Sequence, residues 1–381
     1  MRIGVDYTAA ARQGGGIGRY TRELMGAVLT QDTNHEFAFL AGVAGLGARW
    51  SAEAERLRSL APSRVTTRPI PLTDDWMARI WHRLRVPLPA TWITGKLDLF
   101  YAPDFLLPPL PRSVHTLVTV HDLSFMRHPE TFPPQLHAYL TTTVPRSVRR
   151  ADHILTDSRW TREDVIELLD IDPERVTALH LGVSGDFTPT PSPGEKARLI
   201  EDYQLAHTPY ILAVGTVQPR KNYLRLIEAL DQVRRYADVQ LIIVGKPAWL
   251  SDPILEAATG RPYVRLLGFV GDGDLPAFYR QARAFAYPSL YEGFGLPPLE
   301  AMACGTPVVA SAASSVPEAV GDAGLLHDPT DTDDLAAALV RVLTDDTLRT
   351  ELREKGTARA ARFTWARTAR EWLAALNFPK S

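Results

Sequence analysis

The sequence predicts an α/β protein of two doubly wound, Rossmann-like domains. Short β-branched runs alternate with longer helical patterns along the whole chain, and the alternation stops at one polar stretch and then restarts. The 381 residues also exceed one ordinary domain. Strands are expected at Arg2–Val5, Phe37–Leu40, Val65–Pro69, Leu97–Tyr101, Thr116–Val120 and His153–Thr156. After the Pro-rich stretch Thr188–Lys196 they resume at Tyr210–Gly215, Val239–Gly245, Val264–Phe269, Ala284–Tyr287 and Pro307–Ser311. The expected boundaries are an N-terminal domain over 1–188, a linker over 189–207, a C-terminal domain over 208–362, and a closing segment over 363–381. The helical pattern of that last segment, Trp365–Asn377, is expected to pack back toward the first domain. Ten of the 30 prolines lie between Pro87 and Pro145, which predicts irregular structure along one edge of the first domain.

Composition narrows the function. Apolar residues make up 45% and charged residues 23%, the balance of a folded globular chain. The net charge of -2 gives no footprint for sequence-independent nucleic-acid binding. Cys304 is the single cysteine, so neither a disulfide framework nor a cysteine zinc site is expected. No apolar run approaches the roughly 18 residues of a membrane span, and Met1–Asp6 starts as a strand rather than a signal sequence. A cytoplasmic location is the expectation.

Three segments carry chemistry. Gly14-Gly15-Gly16-Ile17-Gly18 precedes a helical pattern at Tyr20, Leu24 and Val28, and bare amides at a helix start suit an anion. The spacing is not the GxGxxG dinucleotide fingerprint, and a plain flexible loop is the alternative. Gly215-Thr216-Val217-Gln218-Pro219-Arg220-Lys221-Asn222 follows a strand and leads into a helical pattern. Two cations in a first helical turn oppose the helix dipole, so either a diphosphate partner or solvation explains them. In the stretch from Tyr287 to Val309, Gly293-Phe294-Gly295-Leu296 and the prolines behind them open a short helix, flanked by Glu292 and Glu300. An ionised acid that accepts several hydroxyls is a common sugar contact.

Glu292 to Glu300, with Gly293-Phe294-Gly295 between them, resembles the E-x7-E motif of retaining glycosyltransferases of the GT-B fold, family 4, and bacterial polysaccharide mannosyl- and hexosyltransferases in particular. The resemblance extends, in order, through the Gly-rich start, Thr119–Phe125, Asp157-Ser158, Gly182-Val183, Gly215–Asn222, Gly268-Phe269-Val270 and Ser314–Glu318. It implies two Rossmann-like domains facing each other across a cleft. It also implies retaining, metal-independent transfer of a hexosyl group to a saccharide or lipid-linked saccharide, with no cofactor besides the nucleotide diphosphate sugar donor. GDP-mannose is the first expectation for that donor and a UDP-hexose the second. By the same resemblance Glu300 holds the ribose, while Glu292 and the amides of Gly293, Phe294, Gly295 and Leu296 meet donor hydroxyls and phosphate. The turn Gly268, Phe269 and Val270 meets the base, and Gly215 belongs to the donor loop. Gly15 and Gly16 approach phosphate or acceptor from the other wall, and His121 lies beside the donor sugar unless it is a core histidine. Ser184 departs from a common Asp, and Thr216 from an arginine found in other branches, which leaves Arg220 and Lys221 as the phosphate clamp. The set assigned to catalysis is His121, Glu292, Arg220 and Lys221. Other readings of the architecture are a nucleotide-sugar 2-epimerase and a non-catalytic nucleotide-sugar-binding module.

Two segments point elsewhere. Asp272-Gly273-Asp274 and Asp331-Thr332-Asp333 have the D-x-D form of a metal site, but each precedes a helical pattern, so N-capping is expected and no metal. Trp76–Arg85 places Trp76, Met77, Ile80, Trp81 and Leu84 on one helical face with arginines elsewhere, which reads as a core helix or as a peripheral membrane contact.

Overall fold

The computed structural model describes residues 1–205 and 207–378, and they form two compact units. The first comprises Met1–Leu123, Ala138–Gly182 and the chain from Trp365 onward; the second comprises Ser124–His137 and Val183–Thr364.

In the first unit β1 (Arg2–Asp6), β2 (Glu36–Gly42), β3 (Val65–Ile70), β4 (Leu99–Ala102), β5 (His115–Val120), β6 (His153–Thr156) and β7 (Val176–Ala178) form one parallel sheet in the order 3-2-1-4-5-6-7. The second unit repeats the plan with β8 (Tyr210–Val214), β9 (Gln240–Val244), β10 (Val264–Gly268), β11 (Ala284–Tyr287), β12 (Val308–Ser311) and β13 (Leu325–His327), in the order 10-9-8-11-12-13. Parallel strands covered on both faces read as continuous apolar runs, which is why β8, Tyr-Ile-Leu-Ala-Val, was legible. The three-residue strands β7 and β13 were missed, because segments that short carry no period. Both sheets reverse direction beside their first strand, β1 to β4 and β8 to β11. Doubly wound proteins bind ligands beyond the strand ends at that point.

The helix Tyr223–Val233 shows how the second core closes. Leu226, Ile227, Leu230 and Val233 share one face of that helix and are all fully buried, with Leu335, Leu339 and Val342 of the helix Thr332–Thr344 in the same apolar cluster. Each contributes roughly 1.5–3 kcal/mol of apolar burial.

The expected boundaries need correction. The first unit breaks at Gly182 rather than at 188, and Ser124–His137 belongs to the second unit. The segment 189–207 is not a bare linker: it carries the helix Glu195–Tyr203, whose buried Glu195 pairs with Arg280. The Pro-rich stretch is also more regular than expected. Pro134 starts a helix running to Arg150, where its missing N–H costs nothing, and Pro145 lies buried within that helix. Trp76–Arg85 is not one helix. A turn of helix, Asp74–Ala78, widens into a π-helical turn over Arg79–Arg83. Trp76 and Leu84 are exposed while Met77 is buried.

Candidate active site

In the second unit two loops leave the ends of β8 and β11, on either side of the reversal point. The β8 loop begins at Gly215, whose φ of 147° suits glycine and whose Cβ position would lie 3.0 Å from the Tyr223 hydroxyl. Pro219–Lys221 then form a 3-10 turn, Asn222 takes a φ of 58°, and the α-helix begins only at Tyr223. Arg220 and Lys221 therefore do not lie in the first turn of an α-helix, and the dipole penalty expected for them does not apply.

These cations are not solvated either. Lys221 Nζ donates to Glu292 Oε1 at 2.6 Å, and the Arg220 guanidinium donates to Glu292 Oε2 at 2.9 Å and to the Tyr291 carbonyl at 2.6 Å. Glu292 is only 7% exposed and Lys221 8%. Burial alone would raise the Glu292 carboxyl, but the Lys221 and Arg220 charges overcome it and hold the group at about 2. The triad thus combines one anion with two cations. Tyr287 adds its ring beneath Lys221, with Nζ 5.1 Å from the centroid.

The loop carrying Glu292 is pinned from behind. Ser314 Oγ accepts the Glu292 amide at 2.8 Å, and Ser315 Oγ lies 2.7 Å from the Glu292 carbonyl and 3.0 Å from that of Phe294. Gly295, at φ 116°, caps the helix Leu296–Ala303, on which Glu300 is 2% exposed and accepts the Tyr279 hydroxyl at 3.0 Å. Gly268, at φ 70°, ends β10 with Phe269 exposed and Val270 buried behind it. Gly245 closes the floor: a Cβ there would lie 1.9 Å from the Gly215 carbonyl oxygen. Gln218 Oε1 is buried without a hydrogen-bond partner, an acceptor suited to a ligand donor.

The first unit has its own polar centre beyond β5. His121 Nδ1 lies 2.7 Å from Asp157 Oδ2, and Nε2 lies 2.7 Å from the Pro103 carbonyl. A carbonyl only accepts, so Nε2 carries a proton; with Asp157 ionised, Nδ1–H donates to its carboxylate and the ring is an imidazolium. Burial would lower its pKa, but Asp157 and then Asp104 raise it to about 9. Burial also pushes Asp157 up, but with His121 charged against it we assign the pair as ionised. Asp104 is pushed to about 6 by burial, against the pull of His121. Tyr20 and Phe105 stand edge-on to the imidazole, and Tyr20, Tyr101 and Thr119 share a buried hydroxyl network. Past the short helix Thr8–Arg12 that follows β1, Gly15 caps the helix Gly16–Gln31 and Gly16 has a φ of 53°. Arg22 donates to the carbonyls of Ala10, Gln13 and Gly14, which fixes the glycine loop and leaves Gly15 and Gly16 exposed.

The structure brings Glu292, Arg220 and Lys221 together and buries Glu300 and His121 in separate polar networks, whereas the sequence did not point to Tyr279 beside Glu300, Tyr287 beside Lys221, Asp157 as the partner of His121 or the Ser314-Ser315 pair behind the loop. The D-x-D segments divide. Asp331 caps its helix through the amides of Asp333 and Asp334 as expected, whereas the Asp274 carboxylate makes no cap and instead takes Arg198 and the Tyr203 hydroxyl. Among the described residues no group of three or more His, Cys, Asp or Glu is gathered so that it could hold a metal ion.

Two parallel doubly wound sheets, with a buried acid bracketed by two cations at a reversal point, have the build of a GT-B glycosyltransferase. The chain belongs to the family 4 glycosyltransferases: the profile of Glycosyltransferase Family 4 matches residues 14–187, and that of Glycosyl transferases group 1 matches residues 196–359. It is 38% identical over 294 residues to O-antigen chain mannosyltransferase B of Escherichia coli, covering 74% of this chain and 76% of the relative. It is 32% identical over 265 residues to the serotype-specific mannosyltransferase WbdA of the same organism, covering 67% of this chain but only 32% of that longer protein. In fold it is similar to HepE of Anabaena, solved in complex with UDP and glucose, with a TM-score of 0.73 at 19% identity over 98% of both chains.

Proposed function

We propose that this glycosyltransferase moves a mannosyl group from GDP-mannose, with a UDP-hexose as the second candidate donor, to a saccharide or lipid-linked saccharide acceptor in polysaccharide synthesis, with retention and without a metal. The single observation that carries the reading is the Arg220–Glu292–Lys221 triad at the β8/β11 reversal point. Its two cations and one anion suit a diphosphate, and the backbone of the glycine loops allows close approach. The mannosyl choice rests on the E. coli relative, and the UDP alternative on the HepE complex. The reaction runs in the cytoplasm, and a lipid-linked acceptor would be met at the inner face of the membrane.

The triad also assigns roles. With both oxygens held by cations and its carboxyl near 2, Glu292 is a weak nucleophile, so it orients Arg220 and Lys221 toward the leaving diphosphate rather than forming a covalent intermediate. Glu300, steadied by Tyr279, holds the ribose. Gly268, Phe269 and Val270 meet the base, and Gly15 and Gly16 offer amides. His121, an imidazolium, supplies fixed positive charge beside the sugar rather than acting as a base. Incubation with a nucleotide-sugar panel, followed by NMR of the product anomer, tests the reading. Free GDP with an α-mannosylated product from the α-linked donor is the expected result. A C2-inverted donor would replace the reading by epimerisation, and binding without turnover would replace it by a binding module.

A further inference from the structure

Backbone hydrogen bonds tie the donor loop to the two strands beside β8. The Gly215 amide donates to the Val244 carbonyl at 2.9 Å, the Val217 amide to the Lys246 carbonyl at 2.9 Å and the Ala248 amide back to Val217 at 3.0 Å, while the Gly245 amide donates to Gly268 at 2.8 Å. The ends of β8, β9 and β10 therefore form one continuous rim, with the Arg220–Glu292–Lys221 triad at its β8 end. From β8 to β10 is two strand spacings, about 10 Å, the reach of a nucleoside from its diphosphate to its base.

Phe269 stands at the other end of this rim. The register of β10 shifts between Leu266 and Gly268, and Gly268 turns at φ 70°, a bend that ends the strand and leaves the next ring uncovered. The Phe269 ring is 56% exposed, and Lys246 Nζ lies over it, 5.2 Å from the centroid. The loops leaving β9 and β10, over 245–251 and 269–274, carry three charged residues, Lys246, Asp272 and Asp274. Asp274 is taken by Arg198 and the Tyr203 hydroxyl. Lys246 and Asp272 are exposed and, among the described residues, form no ion pair with each other or with any other group; the next acid, Asp252, opens the helix that follows β9.

An ammonium beside a stacking ring sorts bases by their edges. Guanine presents O6 and N7 side by side as acceptors, adenine sets an N6 donor next to N7, cytosine offers an N4 donor and uracil a single O4. Stacking on the ring itself accepts any base. We propose that Lys246 selects the base of the donor: its ammonium donates to O6 and N7 of a guanine stacked on Phe269, so that guanosine diphosphate sugars are taken ahead of uridine ones. This rests on the reading of the second unit as the donor site. The Asp272 carboxylate, which would favour the 2-amino edge of guanine instead, is the rival selector.

Calorimetric titration of the full chain with nucleoside diphosphates tests the assignment without acceptor or turnover. GDP and inosine diphosphate share O6 and N7; they are expected to bind alike and about 10-fold tighter than ADP or CDP, with UDP between. Lys246→Met keeps the apolar stem over the ring and is expected to bring GDP down to the level of ADP, with pyrophosphate binding and the melting temperature little changed. Lys246→Arg is expected to keep the order of bases. Phe269→Ala is expected to weaken every base alike, about 10-fold. A preference for GDP that Lys246→Met leaves intact overturns the inference, as does UDP binding tightest to the wild-type chain. Inosine diphosphate falling to the level of ADP, with the GDP preference lost in Asp272→Asn, would give the selection to the acid. Nucleotides bound in the expected order by a chain that turns over no sugar nucleotide would support the inference and sink the transfer reading; no nucleoside diphosphate bound at all would overturn both. The wild-type order needs no variant, so the test holds even if a substitution unfolds the chain.

Discussion

Lys221 Nζ sits 2.6 Å from Glu292 Oε1 across 71 residues of sequence, with both side chains nearly out of solvent. The pair joins the two loops that carry it. Removing one partner of a buried pair leaves the other uncompensated, at a cost of roughly 3–5 kcal/mol. Lys221→Ala should lower both turnover and the melting temperature, measured by calorimetry and initial rates. Glu292→Gln should lower kcat by roughly 10²–10³, the scale for one preorganised polar contact, and should trap no glycosyl adduct by mass spectrometry. A wild-type melting temperature in Lys221→Ala would return that lysine to a solvated role.

With Glu300 on the ribose, as proposed, Tyr279 would act on the donor through it. Tyr279→Phe removes the hydroxyl that accompanies Glu300 Oε2 and should raise donor KM about 10-fold while changing kcat little, since a hydrogen bond to a charged group contributes about 1.5–3 kcal/mol. Glu300→Gln should move the same constant in the same direction. Steady-state kinetics over donor concentration decides, and a loss confined to kcat would refute the assignment to ribose.

His121 gives a pH signature. Its folded pKa, about 9, lies above the ordinary 6.5, so the folded chain holds the proton more tightly than the unfolded one. The stabilisation is complete below about 6.5 and is lost as pH rises through about 9. Thermal melts of wild type and His121→Gln across this window should converge toward the alkaline end. Melting curves a constant distance apart would show that His121 is neutral in the fold.

On the proposed reading, in which Arg220, Lys221 and backbone amides meet the diphosphate charge, activity should survive excess EDTA. Complete loss on chelation, restored by Mg2+ or Mn2+, would refute a metal-independent transfer.

What the sequence made legible was local. The strands β8 and β11, the glycine loops and the Glu292–Glu300 spacing each lie within a continuous run whose pattern has a physical cause. What it hid was pairing over distance. Asp157 reaches His121 across 36 residues, and the Arg220 carbonyl takes the Leu290 amide across the two loops. No period or motif in either segment announces the other. The first-turn placement of Arg220 and Lys221 failed because the left-handed Asn222 interrupts the helix before Tyr223, a backbone choice that Pro219 alone does not reveal.

The closing helix, Trp365–Ala374, belongs to the first unit, where Trp372 is fully buried against Tyr101 and Trp365 stands edge-on to Tyr20. On the ribosome these indoles arrive only after the whole second unit has been made. The unit begun first is thus completed last, and until then the aromatic network of Tyr20 and Tyr101 lacks its cover. At elongation rates of roughly 5–20 residues per second, the nearly two hundred residues from Val183 to Trp372 keep that surface open for about 10–40 seconds, a window in which a nascent-chain chaperone has something to hold.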